Sequence, residues 1–300
     1  MKRSVLITQS ALAALLALVL YNSRGALSGC AMYVAALALI ECFYAAYLLR
    51  RREAAAQCSA IACAAIFALA AWELSAVNFK IANPILLPPP RDVFQAFWDC
   101  RGLMARGIFS SFALLCASMA IALAASVTLG LFTGMSPFLR GVFLPIAKVL
   151  SPIPPVIYSP YAVALMPTFR SAAAAIIILG IFWPTFMGII NRAASMDRRI
   201  INSARALGLT RSEMIFQIMM PYLFPGIMAG LHVTLSTSFL LLTMAEMMGA
   251  SSGLGYFIKN YSDYANYTNV IAGIILIGIV VSLLNALLSY SEKKLVRWKE

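Results

Sequence analysis

Runs of about twenty apolar residues recur along this chain, and they constrain its fold more than any other feature. A helix needs roughly twenty predominantly apolar residues to cross the hydrocarbon of a bilayer. Windows of that kind fall at roughly 4–21, 26–49, 58–78, 108–134, 142–166, 171–190, 222–248 and 269–290. The expected fold class is all-α integral membrane, with about eight transmembrane helices. Composition agrees: 62% of residues are hydrophobic and 11% charged, where a soluble domain carries about 25% charged residues.

The net charge of +12 would suggest nucleic acid in a soluble protein. In a membrane protein, Lys and Arg gather in the inner loops, so no nucleic-acid partner is expected. With the N-terminus inside, fifteen of the 23 basic residues fall on the inner side and seven on the outer, with Lys148 inside a span. The inner set includes Lys2, Arg3, Arg50–Arg52, Arg140, the five arginines of the 191–221 loop, Lys293 and Lys294. The outer set is Arg24, Lys80, Arg91, Arg101, Arg106, Arg170 and Lys259. This bias predicts eight spans with both termini cytoplasmic.

The N-terminus imitates a signal peptide, with Lys2 and Arg3 before an apolar run and a lipoprotein-like box at Leu27–Cys30. Polar residues 21–24 separate the run from the box, and the box opens into a second apolar segment. An uncleaved first span is expected. The six cysteines show no CxxC spacing and read as small buried hydrophobes. A single histidine, His232, leaves no His-rich metal site. With no Gly-Lys dipeptide the chain has no phosphate-binding loop. Pro88–Pro90 predict an extended lead into a short amphipathic helix near Asp92. The basic tail with Trp298 reads as an interfacial anchor.

The longest polar stretch, 191–225, lies between two spans. It predicts a helix over Met196–Leu207 stopped by Gly208, the residue best able to take the left-handed conformation. Thr210 with Glu213 three residues on is a capping box for a second helix ending before Pro221. Leu209 and Met214 could staple it. Such a helix, glycine turn and helix suits docking to a partner protein. The alternative is a basic helix lying on anionic lipid.

SPIPPVIYSPY at Ser151–Tyr161 breaks the fifth apolar run with four prolines, freeing backbone carbonyls. Breaks at membrane depth survive only where protein or a water-filled cavity satisfies them. Pro152, Pro154, Pro155, Tyr158, Ser159 and Pro160 are therefore candidates for the wall of a translocation path, with Trp183 and Pro184 beside them. A kinked packing helix is the alternative. Glu41, Lys148, His232 and Glu246 are ionisable residues within spans. Three Gly-xxx-Gly spacings (130–134, 226–230, 249–253) are expected to pack helices.

ARALG at Ala204–Gly208, then Ile218, Pro221 and FPGIMAGL at Phe224–Leu231, resembles the loop motif of binding-protein-dependent ABC importer permeases. AEMMGASSGLGY at Ala245–Tyr256, SPIPP and ILLPPPRDVFQAF at Ile85–Phe97 resemble the branch that imports nitrate, taurine and aliphatic sulfonates. The resemblance covers about residues 80–298 and implies a non-catalytic, cofactor-free permease. Residues 58–300 would be the six-span importer domain, and 1–57 two additional spans. Asn202, Ser203, Ala204, Arg205, Ala206, Leu207, Gly208 and Pro221 would contact a cytoplasmic ATPase subunit. A second copy of the chain and a periplasmic or lipid-anchored binding protein would complete the assembly. Glu246, Gly249 and Gly253 would have a structural or gating role. The chain departs from the family pattern at Asn202 and Ser203, which stand in place of its Glu-Ala opening, and in the two added spans. A secondary transporter would need inverted repeats and intramembrane charge pairs, and an intramembrane enzyme a nucleophile or metal set. The sequence displays neither.

Overall fold

The computed structural model describes residues 2–23, 30–50, 55–79, 81 and 83–295, excluding the side chains of 2–4, 49, 50, 55, 198, 205, 211 and 295. Arg24, residues 27–29 of the lipoprotein-like box, Arg51, Arg52, Lys80 and the Trp298 tail lie outside the described residues. Those described form helices and connections with no strand.

The helices are α1 (Lys2–Asn22), α2 (Ala31–Arg50), α3 (Ala55–Glu73), α4 (Pro90–Asp99), α5 (Arg101–Met135), α6 (Pro137–Leu150), α7 (Ser159–Leu165), α8 (Phe169–Ala194), α9 (Arg198–Ala206), α10 (Arg211–Glu213), α11 (Met220–Met247), α12 (Leu254–Asp263) and α13 (Tyr267–Leu295). Among the described residues seven helices are long and apolar enough to cross a membrane, or eight if the bent pair around Ser151 is one span. The fifth apolar run is broken where its prolines predict: Pro137–Leu150 is followed by Pro155–Leu165, bent by 84°. Prolines 152, 154 and 155 lack the N–H groups that would continue the ladder, so the chain turns through a 3-10 segment, Pro155–Tyr158.

Contacts divide the chain into two compact units: Met1–Ala105 with Ile258–Ile275, and Arg106–Phe257 with Leu276–Glu300. In the first, Leu12, Leu15 and Val19 repeat at helical spacing and meet Tyr33, Leu37 and Ile66 in one apolar core. Hydrogen bonds stitch the spans where lipid offers no driving force. Thr8 donates to the Ser59 carbonyl at 3.4 Å, Tyr44 pairs with Ser59 at 2.8 Å, and Gln9 donates to Glu41. Asn22 donates to Glu73 at 2.9 Å. The short helix α4 starts at Pro90, two residues earlier than the sequence suggests, because a proline fits the first turn where no N–H is needed. The cysteines are unpaired; Cys30 is buried, but Cys42 and Cys116 are exposed. The expectation of burial fails there because apolar side chains on a span are equally at home facing lipid.

In the second unit α8 lies against α11 and α6. A Cβ on Gly130 would come within 2.8 Å of Ile189 Cγ2, and one on Gly134 within 2.5 Å of Ala193 Cβ. This Gly-xxx-Gly pair does pack helices. Gly226 and Gly230 of α11 face Arg192 of α8, Gly226 under its guanidinium; the third pair does not pack helices, since Gly249 and Gly253 sit in the turn after α11, under Phe169 and Glu246. Spacing alone cannot distinguish a helix face from a hairpin. Of the remaining intramembrane charges, His232 lies 3.1 Å from Glu292, and Lys148 is exposed in the last turn of α6.

Candidate functional site

The polar stretch between α8 and α11 folds from its own local signals. After α8 ends at Ala194, Asp197 accepts the Arg199 N–H at 2.8 Å and opens α9. The helix therefore starts two residues after the expected Met196, where a side-chain acceptor is available. It ends as the sequence predicts: Gly208 takes φ +74°, and the Leu209 N–H reaches back to the Ala204 carbonyl at 3.3 Å. That six-to-one bond is the Schellman closure. The Thr210 N–H donates to Glu213 at 2.7 Å and the Glu213 N–H to Thr210 Oγ1 at 3.3 Å, completing the capping box. Hydrogen bonds from the Thr210 hydroxyl and N–H hold the Glu213 carboxyl below its ordinary range.

The second helix does not stop before Pro221. A π turn over Met214–Met219, closed by the Met220 N–H to the Ile215 carbonyl, leads directly into α11. Pro221 falls in the first turn of α11, where the widened turn removes the need for its missing N–H.

Ala204 is 2% exposed and packs with Met196, Met214, Ile215 and Met219. The opposite face presents Asn202, Ser203, Ala206 and Gly208, with Leu207 at 80% exposure. Arg205 belongs to α9, with its side chain outside the description. Nothing lies within 4 Å of a Cβ built on Gly208, so only its backbone conformation demands glycine. An apolar side chain held on a rigid, capped turn can anchor in a partner's groove at little ordering cost.

At the bend, Pro155 packs over Gly180 of α8, whose Cβ would meet Pro155 Cγ at 2.9 Å and Leu241 Cδ1 at 2.3 Å. Pro152, Pro154 and Pro160 are exposed and Tyr158 is half-buried. The Ser159 hydroxyl is buried and donates to the Val156 carbonyl at 2.5 Å, an oxygen that also accepts the Ser159 N–H. Trp183 stands edge-on to Phe182 at 5.0 Å, and Pro184 is exposed on α8.

A third grouping lies at the end of α11. Glu246 is 2% exposed. Its Oε1 accepts the Ser111 hydroxyl at 2.6 Å and its Oε2 the Gly255 N–H at 2.8 Å. Ser111 Oγ in turn accepts the Leu254 N–H at 2.8 Å. Gly253, at φ +127°, lies so close that its Cβ would be 2.3 Å from Glu246 Cδ. Gly249 is covered by the Phe169 ring, 2.6 Å from where its Cβ would be. Ser111 escaped the sequence reading because one serine in an apolar run carries no local signal. The run Gly107, Ser110, Ser111, three small residues on one helical face, was the available clue.

The chain and its architecture have counterparts in known proteins. Residues 126–299 match the family model described as binding-protein-dependent transport system inner membrane component. The chain is 28% identical over 228 residues to the taurine transport system permease protein of Escherichia coli, covering 74% of this chain and 83% of that one. It is 29% identical over 189 residues to the nitrate import permease protein of Synechocystis, covering 63% and 69%. It is 24% identical over 235 residues to the putative aliphatic sulfonates transport permease protein of Bacillus subtilis, covering 77% and 84%. Among solved structures, an inward-facing form of the MetNI methionine ABC transporter shares the fold, with a TM-score of 0.56 at 20% identity over 66% of this chain and 97% of that chain.

Proposed function

Because the chain belongs to the family of binding-protein-dependent transport system inner membrane components, we propose how its parts divide the work of import. It is the membrane-spanning permease subunit of an ABC importer in the inner membrane, and hydrolysis belongs to a separate ATPase. A substrate-binding protein supplies the solute.

Asn202–Gly208 docks in a groove of the cytoplasmic ATPase, with Leu207 as its anchor and Pro221 setting the start of α11. The observation that carries this is an 80% exposed leucine held between a Schellman closure and a capping box. Two copies of the chain over two ATPase subunits form the importer, with both termini cytoplasmic and a periplasmic or lipid-anchored binding protein outside. Residues 58–300 are the transport domain, and 1–57 add two spans to it. The bend bearing Pro152, Pro154, Pro155, Tyr158, Ser159 and Pro160 lines the path with Trp183 and Pro184. Glu246, Gly249 and Gly253 form a structural joint that takes part in gating. The solute is a small anion such as taurine, an aliphatic sulfonate or nitrate, after the relatives.

Proteoliposomes containing the permease, its ATPase and its binding protein test the reading. ATP-dependent uptake is expected for whichever of taurine, alkanesulfonates, nitrate and pyrimidine precursors the binding protein retains. Uptake that needs no ATPase would refute it.

A further inference from the structure

The joint at the end of α11 holds a feature that a packing role does not require. Helix α12 opens at Gly253, which has no side chain to cap it, and its first two N–H groups are satisfied from elsewhere. Leu254 N–H goes to Ser111 of α5, and Gly255 N–H to Glu246 of α11. A helix leaves its first N–H groups without partners and carries partial positive charge there, so a carboxylate at that end is favourable. Here the cap is borrowed from two other helices, and Ser111 donates to Glu246 to link them. Ser110 of α5 pairs with Ser252 at 2.9 Å, and Gly107 would place a Cβ 3.3 Å from the Gly253 carbonyl oxygen. Residues 107, 110 and 111 thus present one face of α5 to the turn.

The span bearing Glu246 runs unbroken from Met214 to Met247 and begins where the capped Gly208 turn ends. Resting on the permease reading above, we infer that Ser111 and Glu246 are positioning residues that yoke the first turn of α12 to α5 and α11. The turn at 248–253 thereby moves with the span whose other end joins the ATPase-docking loop. Nucleotide state would reach the outer joint along one continuous helix, with no separate relay. Both oxygens of a buried carboxylate are engaged, so either partner's loss leaves the other group buried and unsatisfied.

The test uses the full permease–ATPase complex in nanodiscs, carrying Met248→Cys in a background whose own labelling is subtracted. Met248 is 46% exposed at the joint. Labelling by a polyethylene-glycol maleimide is timed without nucleotide and after trapping with Mg-ATP and vanadate. The parent is expected to label at clearly different rates in the two states. Ser111→Ala should raise the slower rate by about tenfold, as loss of a hydrogen bond to a charged group opens the turn, and so abolish the difference. Glu246→Gln should act alike, and Ser111→Thr should restore the difference. A merely structural role would speed labelling equally in both states and keep their ratio, which overturns the inference. So does a parent that hydrolyses ATP and imports solute yet labels identically in both states. A parent that neither binds the ATPase nor imports refutes the permease reading as well, so the two failures are distinguishable.

Discussion

Gly208 offers the sharpest test of the loop, because its φ of +74° and its empty surroundings separate backbone strain from collision. An L-residue in the left-handed region costs roughly 1–2 kcal/mol, which changes the population of the closed turn by roughly 5- to 30-fold. No clash adds to this, since a built Cβ meets nothing within 4 Å. Gly208→Ala should therefore lose about that much. Gly208→Val should lose more, because a β-branched residue is a true outlier at positive φ. Gly208→Asn should lose little, since asparagine tolerates this conformation. If the turn opens, the Leu209 N–H leaves the Ala204 carbonyl and Leu207 is no longer held in place. The assay is the ratio of ATP hydrolysed to solute imported in proteoliposomes, with membrane insertion checked for each variant. The ratio should rise in the order Asn, Ala, Val while insertion stays intact. Equal ratios for glycine, alanine and valine would refute the claim that the shape of this turn transmits force.

The capping box should be acid-sensitive. Glu213 is held below its ordinary range in the folded loop, so its stabilisation is complete above about pH 4.3, the usual glutamate value, and is lost as pH falls through the lower folded value. Hydrogen exchange over 208–214 should accelerate only in that acid window; acceleration between pH 7 and 5 would contradict the assignment. Replacing Pro154 and Pro155 together with leucine restores two N–H donors and should straighten the 84° bend. Uptake should then fall, and wild-type uptake would make the bend a packing kink. Gly180→Ala drives a Cβ to 2.3 Å from Leu241 Cδ1, so overpacking should cost about 1–3 kcal/mol and lower the melting temperature in detergent. An unchanged melting temperature would mean that Leu241 swings clear.

Much of this arrangement is legible in the residues. Hydropathy locates the spans because a bilayer requires it of every one, and the charge bias needs no tertiary knowledge. Thr210–Glu213 and Gly208 behave as read, because caps and left-handed turns are decided within about four residues. Pro90 and Asp197 shift the ends of α4 and α9 by two residues each, which is the usual uncertainty where a helix frays or a cap competes. Pro221 misleads for a related reason: a proline signals a break, but the π turn before it absorbs the missing donor and lets the helix continue.

What the sequence determined by itself was the environment and the local stops: how many segments suit lipid, where a helix must turn, and which turn is capped. Only the tertiary structure decided which way Ala204 faces, the angle at the proline bend, and the partners of Glu246. The reason is the range of the interactions. Transfer to lipid and capping act residue by residue or within one turn, so they are written locally. A buried carboxylate instead takes its hydrogen bonds from whatever approaches it in space. Ser111 lies 135 positions from Glu246 in the chain, and nothing in either local run names the other.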